Sequence, residues 1–156
     1  MKTMRGFIII LVFLLSVSHS LACTCVNTTN ISDKEHSGYL KKVKAIFYGE
    51  VVSLGEKREV SRRGRNFEAT DIFQPVKFRV LRAWKGVESA EITVETDAES
   101  SCRYVPSVGN RIMIYAYEDK PASIQYFVNY CSVGVFDDEK MKREYGEGTL
   151  MQPAEN

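Results

Sequence analysis

Histidine is nearly missing from this chain: only His19 and His36 occur in 156 residues. That shortage excludes the clustered imidazoles of zinc hydrolases and argues against a Ser-His-Asp nucleophile set, for which His36 is the one histidine beyond the apolar N-terminal run. Long apolar runs are scarce as well. The longest, Phe7 to Leu15, has nine residues, against the roughly 18 to 20 that cross a bilayer as a helix. An excess of either charge is also lacking, with 21 Lys plus Arg against 20 Asp plus Glu, so nothing in the total points to nucleic acid. No internal repeat or low-complexity tract is present.

What is there begins with the setting of that apolar run. Lys2 and Arg5 precede it, and small or polar residues ending in Ser20-Leu21-Ala22 follow. The pattern predicts a secretory signal cut before Cys23. The expected organisation is a signal peptide at 1–22, one domain at 23–145 and a frayed tail at 146–156, in a product secreted to an extracellular or periplasmic space. A bacterial lipoprotein signal is the competing reading, under which Cys23 is acylated after cleavage. That signal usually has Leu three residues before the cysteine, where Ser20 stands here. With Lys2 and Arg5 removed, 19 basic residues face 20 acidic ones.

All four cysteines, Cys23, Cys25, Cys102 and Cys131, lie beyond the signal. Oxidising conditions outside the cytosol make two disulfides the expectation. A Cys23–Cys25 bridge would close a very tight ring, so each of the two is expected to reach one of the distant cysteines. Spacing alone leaves open which reaches which.

Ser32-Asp33-Lys34-Glu35 has the form of a capping box, and Tyr39, Leu40 and Val43 follow at helical spacing, predicting a short helix from Asp33 to Lys42. The period then changes. AIFYGEVVSL from Ala45 to Leu54, the alternating Val76, Phe78 and Val80, Ile92 with Val94, Ile112 to Tyr117, and Ile124 to Tyr130 read as five strands. Turn-like pieces at Trp84-Lys85-Gly86, Gly109-Asn110 and Asp119-Lys120-Pro121 join them, and no long helix is available for parallel crossovers. A small antiparallel barrel or sandwich is expected. The stretch from Gly55 to Asp71 reads as a mobile, basic hairpin extension, and Asp137 to Tyr145 as a short closing helix with acids at its start.

Cys23-Thr24-Cys25-Val26 behind the cleavage point, Glu99-Ser100-Ser101-Cys102 further on, and Cys131 after a strand together resemble the inhibitory domain of the tissue inhibitors of metalloproteinases. Ile46-Phe47-Tyr48-Gly49 is similar to that family's first strand, Trp84-Lys85-Gly86 to its aromatic-Lys-Gly turn, and Ile114-Tyr115-Ala116 to the strand before its final cysteine. The resemblance implies a mainly β fold, a five-stranded antiparallel OB-type barrel of the netrin-like group with short flanking helices. It also implies the pairing Cys23–Cys102 and Cys25–Cys131. Three departures stand out: the two cysteines of a third bridge are missing, Arg103 replaces the glycine often found after the loop cysteine, and no cysteine-rich C-terminal domain follows.

A processed Cys23 offers an α-amine and a backbone carbonyl that can close a five-membered chelate on one metal ion. The amine's reference pKa of about 7.7 to 8.0 leaves a neutral fraction at physiological pH, which metal binding favours further. The expectation is an inhibitor and not an enzyme, with no cofactor of its own. Cys23 would displace the water on the zinc of a partner metalloproteinase. By the resemblance, Thr24 would enter the specificity pocket, Val26 would lie along the primed cleft, and Ser100 with Ser101 would flank the other side.

The rival expectation is a non-inhibitory netrin-like binding module of the cell envelope or extracellular space. It would recruit a protein, or an anionic glycan through Lys57, Arg58, Arg62, Arg63 and Arg65. Glu56, Glu59 and Glu68 interleave with those cations and favour a merely solvated loop. Redox exchange at the Cys-x-Cys lacks the Cys-x-x-Cys helix start, and zinc storage by Cys23, Cys25 and His36 would need free thiols. His36 reads as a surface residue. The triplets Asn27-Thr28-Thr29 and Asn30-Ile31-Ser32 are glycosylation acceptors, and a glycan on Asn27 would crowd the expected contact edge.

Overall fold

The computed structural model describes residues 23, 25, 33–63, 68–118 and 124–151, with backbone alone at 33–37, 62, 63 and 68. The signal, the Ser32 cap and the turn at Asp119-Lys120-Pro121 lie outside these residues. The elements run α1 (Asp33–Lys42), β1 (Val43–Leu54), β2 (Arg58–Arg63), β3 (Glu68–Lys85), β4 (Glu91–Asp97), β5 (Arg111–Tyr117), β6 (Phe127–Val128), a 3₁₀ turn (Tyr130–Ser132), β7 (Val133–Gly134), α2 (Asp138–Tyr145) and β8 (Thr149–Leu150). Among the described residues no helix is long and apolar enough to cross a membrane.

Five strands close on themselves. β1 pairs with β3, β3 with β4, β4 with β6, β6 with β5, and β5 returns to β1. The alternation that marked the strands selects the faces: Ile92, Val94 and Thr96 turn inward from β4 while Glu91 and Thr93 face out. Phe47, Phe78, Val51, Val76, Val80, Val94, Ile114 and Val128 fill the interior, and Phe47 meets Phe78 edge to face with centroids 5.5 Å apart. Such a pair adds about 0.5–1.5 kcal/mol beyond its area burial. Thr96 and Ser132 are buried polar residues among those described, and the Thr96 hydroxyl donates to the Gln74 carbonyl at 3.0 Å.

β1 does not alternate throughout, because its start is covered on both sides. Val43 and Ile46 leave the barrel interior and pack outward with Met113 and Met141, joined by Tyr39, Leu40, Trp84, Tyr115, Phe136 and Tyr145. This outer cluster fixes both helices. Asp137 caps α2 by accepting from the Lys140 N–H at 3.0 Å, and Gly146 closes its other end. Tyr48 stacks on Phe136 at 4.2 Å.

The sheet is mixed, where an antiparallel one was expected. β6 lies parallel to β4, with Glu95 opposite Phe127 and Thr96 opposite Val128. The fifth strand is also shorter than the alternation from Ile124 to Tyr130 predicts. Asn129 ends it by accepting from the Cys131 N–H, while the Ser132 hydroxyl accepts from the Asn129 N–H, so the chain turns and Tyr130 faces solvent. The expected basic loop is a hairpin of β2 on the first part of β3. β3 passes straight through Pro75, which sits opposite Glu95, and Gly55 supplies the room: a Cβ there would come within 2.5 Å of the proline ring. Past residue 146 the chain is not wholly frayed, because β8 pairs with Arg82 and Ala83 and Met151 donates to the Leu81 carbonyl.

Two predictions follow from these contacts. Gly86 ends β3 with φ +64°, and a Cβ there would lie 1.9 Å from the Lys44 carbonyl oxygen. Gly86→Ala is expected to cost about 2–4 kcal/mol in urea unfolding; a change under about 1 kcal/mol would contradict the contact. Burial pushes the Tyr115 hydroxyl up to about 12, with Glu144 and Tyr39 adding to it, and burial likewise raises Tyr145. A raised folded pKa means stability complete below the unfolded value of 10.0 and lost as pH rises through about 12. Unfolding at pH about 8 and about 11 should therefore show an alkaline loss that is smaller in Tyr115→Phe.

Candidate functional site

The parallel β4–β6 pair decides where the site lies. Parallel neighbours leave a sheet at the same rim, so the chain departing β4 at Asp97 and the chain departing β6 at Val128 emerge side by side. Cys102 follows the first exit and Cys131 the second. Their backbones are joined directly, with the Tyr130 N–H donating to the Cys102 carbonyl at 3.0 Å.

The loop carrying Cys102 is shaped from within. The Asp97 carboxylate accepts from the backbone N–H groups of Glu99 at 3.2 Å and Ser100 at 2.9 Å. The Ser100 hydroxyl accepts from the Cys102 N–H at 3.1 Å, and the Ser100 carbonyl from the Arg103 N–H at 3.1 Å. The Tyr104 N–H returns to the Asp97 carbonyl at 3.2 Å. Such local side-chain bonds define the loop without regular structure.

Onto this rim the two early cysteines are stapled. Cys23 is bridged to Cys102 and Cys25 to Cys131, with Cα separations of 5.0 and 5.2 Å. That is the pairing the resemblance implies. The bridges span 79 and 106 residues. In the chain-entropy model the first contributes about 4.5 kcal/mol, and the second about 3.7 kcal/mol because the first shortens its loop to about 30 residues. No protein-family model matches the sequence, and no curated protein matches it.

Of the expected contact residues, the structure gathers Cys23, Cys25, Ser100 and Ser101 at one rim, with both serines exposed. Thr24 and Val26 lie outside the described residues, as do Asn27 and Asn30, and nothing is described of the His36 side chain. The sulfurs of Cys23, Cys25 and Cys131 fall within 4.8 Å of one another. All four cysteines are bridged, so this cluster is two adjacent disulfides and offers no thiolate to a stored zinc ion or to a redox partner in this form.

The basic hairpin sits beside the same rim but spends charge on it. Lys57 pairs with Glu99 at 3.2 Å and Arg58 with Glu95 at 2.9 Å. Two of the five cations offered for an anionic glycan are thus engaged by acids. The side chains of Arg62 and Arg63 and the whole of Arg65 lie outside the description.

Residue reasoning missed Asp97, Asn129 and Ser132, the groups that bend the chain at the two exits. An Asx-type turn was legible in Asp97-Ala98-Glu99-Ser100, and a capping pair in Asn129-Tyr130-Cys131-Ser132. Asp97→Ala is expected to leave the barrel folded, to cost about 1–2 kcal/mol, and to speed amide exchange at Glu99 and Ser100. Unchanged exchange at those two amides would show that the carboxylate does not hold the loop.

Proposed function

We propose that this chain is a secreted inhibitor of zinc metalloendopeptidases, a netrin-like OB-type barrel akin to the inhibitory domain of the tissue inhibitors of metalloproteinases. The observation that carries this reading is the double clamp. Two residues separated by a single position are each covalently fixed to a rim whose own two halves are hydrogen-bonded together. A chain end ordinarily frays, and ordering it on binding costs entropy. A terminus clamped at its first and third residues has lost most of that freedom beforehand. The five-strand closure supports the OB-type assignment.

In this mechanism signal cleavage makes Cys23 the first residue, and its amine and carbonyl together take the open position on the protease zinc. The glutamate that serves the protease as general base accepts a hydrogen bond from that amine. No scissile bond is then presented. On this reading Thr24, the residue between the two bridged cysteines, enters the specificity pocket. Val26 follows the primed cleft, and the exposed Ser100 and Ser101 flank the far side. The pairing of Lys57 and Arg58 with acids gives the glycan-binding alternative no added support.

Protein beginning at a free Cys23 is expected to inhibit a zinc endopeptidase. The same protein with an acetylated amine, or with one extra residue before Cys23, is expected to lose at least about 100-fold in potency, since even outer-shell disturbances of a metal site cost about 10–100-fold. Both forms should keep the same disulfides and unfolding midpoint. Equal inhibition by both forms would overturn the chelation mechanism.

A further inference from the structure

The two bridges are neighbours as well as clamps. The Sγ of Cys23, bonded to Cys102, lies 3.8 Å from the Sγ of Cys131, bonded to Cys25. Neither sulfur carries a proton, so this is a non-bonded contact between two disulfides. We propose that the pair is a thiol-triggered exchange unit, in which opening either bridge leads to one and the same rearranged link, Cys23–Cys131. The proposal does not rest on the inhibitory reading.

The chemistry closes from both sides. An external dithiol that reduces Cys25–Cys131 is oxidised to its own disulfide and leaves two thiols in the protein. Deprotonated Cys131 then attacks the Cys23 sulfur 3.8 Å away. The Cys23–Cys131 bond forms, Cys23–Cys102 breaks, and Cys102 departs as a thiolate that takes a proton from water. If the dithiol opens Cys23–Cys102 instead, deprotonated Cys23 attacks the Cys131 sulfur, and Cys25 departs. Either route ends with Cys23–Cys131 bridged and with Cys25 and Cys102 as thiols. The second step is an exchange without net oxidation, and its rate is set by thiolate fraction and access. The attacking sulfur is already at its target, so a bimolecular encounter is replaced by an intramolecular one.

The rearrangement changes what is held. Cys25 is released from the turn after β6, and the Cys102 loop from the early segment. Cys23 stays tethered to the rim through Cys131. A reducing environment would thus slacken the clamped stretch while leaving it attached.

Graded dithiothreitol treatment of the full chain, quenched with an alkylating reagent and followed by peptide mass mapping, tests this directly. In the species that has lost one bridge, label is expected on Cys25 and Cys102, with the Cys23–Cys131 cross-linked peptide present. Label confined to Cys25 with Cys131, or to Cys23 with Cys102, would overturn the proposal, as would labelling of all four at every dose. Cys102→Ser gives a second reading that does not depend on partial reduction. Its remaining cysteines are expected to divide between Cys23–Cys131 and Cys25–Cys131, and a chain holding Cys25–Cys131 alone would also overturn it.

Discussion

The parallel contact between β4 and β6 is the constraint on which the rest of the molecule depends. It covers only two residue pairs, yet it closes the barrel and sends two separate stretches of chain out through one rim. Had that contact been antiparallel, the segments bearing Cys102 and Cys131 would have left at opposite ends. Two cysteines one residue apart could not then have reached both. The double clamp is a consequence of strand direction before it is a matter of sulfur chemistry.

Around that closure the molecule keeps two apolar compartments. The barrel interior holds the Phe47–Phe78 contact and the aliphatic layers. The outer cluster under α1 and α2 takes Ile46, Val43 and Met113 from the back of the same strands. Charged residues on the outer surface are arranged to match. Glu50 on β1 accepts from Arg79 on β3 and Arg111 on β5, each at 2.9 Å, directly across the sheet. Its carboxyl is held below the usual range, first by the Arg111 hydrogen bond and then by Arg79. Such exposed pairs contribute little stability and chiefly favour one strand register.

Much of the architecture was legible in the sequence. The helix from Asp33 to Lys42 matches its expected bounds, β1 lies where its β-branched and aromatic run put it, and β4 and β5 lie where alternation put them. What escaped has physical causes. The alternation at Val76, Phe78 and Val80 did not reveal that β3 begins well before it and runs through Pro75, whose ring fits because Gly55 opposite has no side chain. The run from Ile124 to Tyr130 alternates correctly, yet Asn129 and Ser132 bond to the backbone locally and end the strand after two residues. Strand direction leaves no trace in alternation, so the parallel contact could not be read at all. At the rim the cysteines announced themselves. Asp97, which shapes the loop that one of them needs, drew no notice at a strand end, although the Asx-type turn it starts was there to be read.

The bridges also interleave along the chain, since Cys25 lies inside the ring closed by Cys23–Cys102 while Cys131 lies outside it. A ribosome delivers the early pair first, and both must wait through most of the chain before their partners exist. During that interval each is an unsatisfied thiol beside another, able to form the wrong ring. Order of emergence therefore works against the native pairing, which the folded barrel favours by bringing the Cys102 and Cys131 segments to one rim.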